Sequence, residues 1–248
     1  ELGDYKLIST RWVDVNKGDE DKPNYRSRFV AREIKKNRLE SFFAAMPPLT
    51  ALRMLVNFAV TDGLPDKDKQ IKYKKTKQVL SFVDISRAHI YPKCRRKILI
   101  ELPEELGLGP GYVGELVNQI YGLRDAGQLW EGEILRVMTL LGFDQGVSSP
   151  CVYYHPTRDI KIEVHGDDFT NLGDFYDLQW LHAEMAKHWT LKVRGILGPP
   201  GMEGCTQSIT NLNRIITWTS EGIEWEADPR HADLIVKSVG VTGCKVGT

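Results

Sequence analysis

The 248-residue sequence predicts an α+β fold. Three observations carry that expectation. Apolar positions switch between a spacing of two and a spacing of three to four along the chain. The two clearest period-two runs, Cys151–Tyr154 and Ile160–Val164, are separated only by residues 155–159, which suits paired strands. The resulting order, β, α, β, α, β–turn–β, α, β, is that of a mixed domain followed by a small tail.

The elements follow in chain order. Residues 11–38 are polar and basic, and Tyr25-Arg26-Ser27-Arg28-Phe29-Val30-Ala31-Arg32 at their centre reads as a strand or hairpin. Pro47-Pro48 introduces a helix with Thr50 as its expected cap, and Leu52, Leu55, Val56, Ala59 and Val60 recur at helical spacing before Asp62-Gly63 stops it. The run from Lys67 to Lys77 holds six lysines and reads as a solvated loop. Val79–Val83 is a compact apolar strand ending on Asp84, and Ile98–Ile100 is a second strand behind the basic cluster Lys93, Arg95, Arg96 and Lys97. Gly127–Leu141 carries Leu129, Trp130, Ile134, Leu135 and Met138 on one helical face, closed by Gly142. The strand Ile160–Val164 runs into His165-Gly166-Asp167-Asp168, a tight-turn composition, and returns as Phe169–Leu172. A helix bearing Leu178, Leu181, Met185 and Trp189 and a strand at Leu191–Arg194 complete the body. Past Gly198-Pro199-Pro200-Gly201, residues 215–225 read as a β-ribbon and Pro229–Val239 as a helix.

Composition excludes several classes. With 42% hydrophobic and 27% charged residues the chain is globular rather than disordered. The longest apolar stretches, Leu52–Val60, Val79–Val83 and Ile134–Leu141, fall far short of the roughly 20 residues that span a bilayer. No leader-like N-terminus argues for secretion, and a start at Glu1 rather than Met suggests a fragment or processed product of intracellular location. Cys94, Cys151, Cys205 and Cys244 form no C-x-x-C pair, so reduced structural thiols are expected rather than a zinc site. The formal net charge is zero, but residues 1–100 carry 22 basic and 12 acidic side chains and the remainder carries the reverse excess. Such asymmetry fits either a polyanion partner at the basic end or two halves that neutralise each other.

One constellation carries chemistry. Asp167 and Asp168 are adjacent at an expected hairpin tip, and Asp84 ends a distant strand. Carboxylates brought together in this way repel unless one is protonated or a cation binds. Magnesium suits them, because it takes carboxylate oxygens and leaves sites for water and phosphate. Two such ions can activate an attacking hydroxyl and stabilise a leaving pyrophosphate.

Collinear motifs surround these residues. Tyr25–Lys35 resembles a basic segment written Y-K-A-R-L-V-A-K-G, and Val83–His89 resembles L-D-V-K-T-A-F. Leu102-Pro103-Glu104 matches a Q-P-E-G region, while Ile120–Ala126 with Trp130 resembles L-Y-G-L-K-Q-A-P-R-Q-W. Leu141-Gly142-Phe143 with Ser149–Tyr153 resembles G-F-x-x-S-x-x-D-P-C-L-Y, and Val164–Asp168 sits where Y-V-D-D is expected. Together they resemble the reverse transcriptase of Copia-type LTR retrotransposons.

The resemblance implies a right-hand polymerase fold with fingers, palm and a partial thumb, and an antiparallel palm sheet carrying the Asp-Asp hairpin. Residues 1–197 would form fingers (mainly 1–78 and 101–140) and palm (mainly 79–100 and 141–197), with 198–248 a partial thumb or connection. It implies an RNA-directed DNA polymerase that uses Mg²⁺, two ions, with Mn²⁺ an alternative. Asp84, Asp167 and Asp168 would be the catalytic, metal-binding triad. Arg28 would contact the triphosphate with help from Arg26 or Arg32, His89 would face the sugar, and Asp125 would lie in the template-contacting turn. The partners would be RNA template, DNA primer and dNTP, with integrase and RNase H segments on the same polyprotein. Localisation would be cytoplasmic, in a virus-like particle, or nuclear, with no membrane partner. Three positions depart from the family pattern: His165-Gly166 for Tyr-Val, His89 for Phe or Tyr, and Asp125 for Gln. They leave two alternatives, a catalytically decayed remnant that at most binds nucleic acid and an RNA-templated RNA polymerase.

Overall fold

The structure, a computed structural model, describes residues 4–18, 21–34, 42, 44–61, 78–109, 111–227 and 229–240. The lysine run 67–77 and Cys244 lie outside the described residues.

The chain opens with β1 (Lys6–Ile8) and the strands β2 (Thr10–Asn16) and β3 (Tyr25–Ala31). After α1 (Leu49–Val60) come β4 (Val79–Ile85), β5 (Ile98–Glu101), β6 (Val113–Glu115) and α2 (Ala126–Leu140). Strands β7 (Asp144–Gln145), β8 (Val152–His155), β9 (Ile160–His165) and β10 (Asp168–Gly173) lead to α3 (Phe175–Ala186) and β11 (Leu191–Leu197). The tail adds β12 (Ser208–Asn211), β13 (Arg214–Trp218), β14 (Ile223–Ala227) and α4 (Pro229–Val239). The fold is α+β, as its sequence predicts.

Its centre is a six-stranded sheet in the order β11-β4-β10-β9-β8-β7, antiparallel at every pairing. Strand β4 is apolar at both alternating sets of positions, apart from Ser81 and Asp84, because both of its faces are covered. Val79, Val83 and Ile85 face one way, into a core with Trp130, Ile134, Val137 and Met138 of α2 and Leu178, Leu181 and Met185 of α3. Leu80 and Phe82 face the other way, against Leu55 and Val56 of α1 and against Ile209, Ile216 and Trp218 of the tail sheet β12-β13-β14. Helix α2 therefore belongs to the packing of the six-stranded sheet, although its residues fall in the segment 101–140.

The first core holds a polar triplet. The buried Ser81 hydroxyl accepts from Asn171 Nδ2 at 3.0 Å and lies 3.0 Å from His182 Nε2. Burial lowers the His182 pKa to about 4, so the ring is neutral in the fold at physiological pH.

A second assembly surrounds the sheet β1-β5-β6, with β1 parallel to β5 and β6 antiparallel to it. Ile8, Ala31, Ile98, Ile100, Leu123 and Ala126 form its buried cluster. The hairpin β2–β3 stacks Trp12 on Phe29 with centroids 5.2 Å apart.

The structure departs from the sequence reading locally. Pro48 rather than Thr50 is the N-cap of α1, and no side chain caps that end. Helix α1 starts at Leu49, so Thr50 lies inside its first turn, where its hydroxyl is no longer at the capping position. Strands β1, β6 and β12, of three to four residues, carry too little pattern to be read. Among the described residues no helix is long and apolar enough to cross a membrane.

Candidate active site

Asp84 and Asp168 are direct partners in the β4–β10 ladder, one at the end of a buried strand and the other at the start of the returning one. Both side chains stay partly exposed, on the face shared with α1 and the tail sheet. His165 and Asp168 pair across a two-residue loop of Gly166 and Asp167. Gly166 adopts φ of 67°, the left-handed value that a II′-type hairpin loop asks of its first residue. The tip is tied at two points. Trp130 Nε1 of α2 donates to the Gly166 carbonyl at 2.8 Å, and the Ile85 N–H donates to the Asp167 carbonyl at 2.9 Å. These two bonds, one from a side chain and one from the main chain, hold the backbone carbonyls of the tip in place.

A cation already sits between the paired carboxylates. Arg194 Nη2 of β11 lies 2.7 Å from Asp168 Oδ1 and 3.6 Å from Asp84 Oδ1. It reaches them through a β-bulge. Val193 pairs with Val83 and Gly195 with Phe82, which leaves Arg194 without a ladder partner and turned to the carboxylate face. Burial pushes the Asp168 carboxyl above its usual range; Arg194 opposes that shift, while Asp167 and Asp84 add to it. Glu163, next along this face on β9, is raised to about 7 by burial and then by Asp168. Its Oε2 is buried without a hydrogen-bond partner.

Beside the carboxylates stands a wall built by the loop before α2. Gly122 adopts φ of 90° and packs so tightly on β3 that an added Cβ would lie 2.0 Å from the Ala31 carbonyl oxygen. The Ala31 N–H donates to the Tyr121 carbonyl at 2.8 Å, closing the dock. Tyr121 then lies under the Arg28 guanidinium, 5.3 Å from ring centroid to Cζ, with the His89 ring edge-on at 5.0 Å. Burial raises the Tyr121 phenol first; the charges of Asp167 and Asp84 raise it further, and Arg28 and Arg26 pull it back. Tyr121 thus feels two of the three expected carboxylates and both arginines at once. Arg28 Nε and His89 Nδ1 are buried without a hydrogen-bond partner.

Two further expected site residues, Arg32 and Asp125, have surroundings of their own. Arg32 lines a cleft of about 310 Å³ with Arg11, Glu33, Ile34 and Gly122. Asp125 is buried and bound by Arg96, whose Nε and Nη2 donate at 2.8 and 2.5 Å, so its charge faces a guanidinium. Arg96 also holds Glu33 at 2.7 and 2.9 Å, and the Arg124 N–H and Lys6 complete that carboxylate's shell. Burial alone would push Glu33 up, but these donors together hold it at about 2. The Asp125 departure from the family motif is therefore compensated by Arg96.

A family model described as Reverse transcriptase (RNA-dependent DNA polymerase) matches residues 2–199. The chain belongs to the Copia-type reverse transcriptase family. Its ancestry is thus that of an RNA-directed DNA polymerase. No curated protein matches the chain. Among solved structures, a foamy viral protease-reverse transcriptase in complex with double-stranded DNA is similar at 12% identity and a TM-score of 0.40. The match covers 86% of this chain, which spans about a third (31%) of that protein.

For this reverse transcriptase domain the fit of a divalent cation can be judged from the side chains. Three carboxylates are the donor set such an ion prefers, and two of them already converge on one cationic nitrogen. Among the described residues no group of three or more His, Cys, Asp or Glu side chains is placed to hold a metal ion. Asp167 stays at the exposed tip while Asp168 is held by Arg194. The residue types suit a divalent cation, while the described geometry brings two of the three carboxylates together.

Sequence reasoning missed Arg194, Glu163 and the contact surface of Tyr121. Arg194 reads as an ordinary strand cation, because nothing in Leu191–Arg194 announces the bulge that aims it. Glu163 alternates with Ile162 and Val164 and so reads as solvent-facing. Tyr121 does sit inside a quoted motif, and the adjacent Gly122 was the available signal.

Proposed function

We propose that this chain is the RNA-directed DNA polymerase domain of a Copia-type retrotransposon, transferring a nucleotide from dNTP to a primer 3′-hydroxyl on an RNA template. The observation that carries the reading is the register of Asp84 against Asp168, with Asp167 next to it at the β9–β10 hairpin tip and the Arg28–Tyr121–His89 wall alongside. Asp84, Asp167 and Asp168 would hold two Mg²⁺ ions, with Mn²⁺ as a substitute, and such ions supply charge neutralisation for the attacking oxygen and the leaving pyrophosphate. Arg28 binds the triphosphate, its guanidinium kept in place by the Tyr121 ring, and the neighbouring Arg26 adds positive field. His89 lines the sugar side of that pocket. Residues 1–78 and 101–140 serve mainly as fingers, 79–100 and 141–197 as palm, and 198–248 as part of a thumb. An A-form hybrid would be gripped through its backbone rather than read by sequence.

Primer extension on an RNA template with Mg²⁺ tests this reading. The wild-type chain extends the primer, and the Asp167→Asn, Asp168→Asn double variant falls to background. Extension that survives the double substitution removes these residues from the mechanism. Parallel reactions with dNTP and rNTP separate DNA from RNA synthesis at the His89 pocket.

A second reading, a remnant that binds nucleic acid without polymerising, is favoured by one observation, the Arg194 guanidinium on the carboxylates. Salt-sensitive duplex binding with no extension under Mg²⁺ or Mn²⁺ selects it.

A further inference from the structure

The bulge in β11 places a positive charge where the proposed chemistry calls for a metal ion. Arg194 Nη2 contacts an oxygen of each facing carboxylate, at 2.7 Å on Asp168 and 3.6 Å on Asp84. A divalent cation held by these two carboxylates would compete with the guanidinium for their negative charge and for the oxygens facing each other. Lys192, the ladder partner of Asp84, carries a second positive charge on the same strand. Arg194 is also anchored from behind: its Nη1 lies 3.5 Å from Oδ1 of Asn211, a buried residue at the end of β12. The side chain is about one-third exposed (31%), so a path to solvent is open once the carboxylates are taken.

We propose that Arg194 is a built-in counter-ion that competes with divalent metal for Asp84 and Asp168, so that metal loading requires its guanidinium to swing off the pair. The inference rests on the metal-binding reading above and adds a threshold to it. Without Arg194 the two carboxylates would face each other across the ladder with no cation in contact with both. With it, the pair is neutralised at the cost of metal affinity. Asn211 makes the tail sheet a party to the exchange, because the guanidinium must loosen its hold on β12 to leave.

Mn²⁺ titration of the full chain, followed by the electron paramagnetic resonance signal of free Mn²⁺, tests the competition. Wild type is compared with Arg194→Gln, Arg194→Lys and the Asp84→Asn, Asp168→Asn double variant. The expected result is tighter Mn²⁺ binding by Arg194→Gln, about tenfold, which corresponds to about 1.4 kcal/mol. Arg194→Lys, which keeps the charge but not the fork, falls between the two. Thermal melting gives a second readout. In EDTA, Arg194→Gln melts below wild type, and added Mn²⁺ raises its melting temperature more steeply than that of wild type. Equal or weaker Mn²⁺ binding by Arg194→Gln, with binding abolished in the double Asn variant, overturns the competition and leaves the metal site standing. Binding no stronger than the double Asn variant in every protein overturns the metal site and the competition together.

Discussion

Asp168 stands directly opposite Asp84, with His165 as its partner on the other side, so each strand that meets at the site contributes a titratable group at one level of the sheet. Burial and the neighbouring aspartates raise Asp168 despite Arg194. A carboxyl raised in the fold loses stability as pH rises through its titration, because the unfolded chain ionises more readily. Asp168→Asn should therefore melt no lower than wild type at neutral pH in EDTA, while losing primer extension. A clear drop in melting temperature would show that the ion pair with Arg194 outweighs the repulsion.

Glu163 offers a cleaner case. Its folded pKa of about 7 lies above the ordinary 4.5, so the wild-type chain loses stability as pH climbs from about 4.5 to 7 and pays the full penalty above that window. Glu163→Gln keeps the shape and removes the charge. It should match wild type at pH 4 and exceed it at pH 8, by up to roughly 3 kcal/mol. Chemical denaturation at the two pH values measures the difference, and equal gains at both would refute the titration.

His182 should act in the acid range. The unfolded imidazole takes a proton near pH 6.5, whereas the folded one resists until about 4. Stability is then lost as pH falls from 6.5 to 4, by roughly 3 kcal/mol in total. The loss should flatten in His182→Gln, which also breaks the approach to Ser81 and lowers stability at pH 7. An unchanged pH slope in that variant would assign the acid sensitivity to another group.

Arg96 holds two buried carboxylates with one guanidinium. Arg96→Met should destabilise the chain by about 3–5 kcal/mol, because Glu33 and Asp125 are left without their main counter-charge. Adding Glu33→Gln and Asp125→Asn should recover much of that loss. Urea unfolding of the single and triple variants reads both numbers, and a triple variant no better than the single one would point to packing instead.

Much of this arrangement was legible in the sequence. The run Val79–Val83 and the alternation of Ile160–Val164 marked the central strands, although Glu163 on the polar face of the second is itself buried. The Gly166-Asp167 turn was legible because its geometry demands a glycine. Short edge strands such as β6 were not, and neither was the loss of Thr50 as a cap, which followed from α1 beginning at Leu49. Arg194 escaped for a different reason: a bulge is a one-residue mismatch between two strands, and neither strand alone records it. Asp125 and Arg96 lie 29 positions apart, so the compensation between them exists only in the folded chain.

The tail sheet has a practical meaning for anyone cutting this gene. The family match stops at residue 199, yet Ile209, Ile216 and Trp218 lie against Leu80, Phe82 and Leu172 on the sheet that carries the aspartates. A fragment ended at the border of similarity would lay open an apolar surface in water, and its insolubility would be mistaken for a dead enzyme. The unit of inheritance and the unit of folding have different edges here.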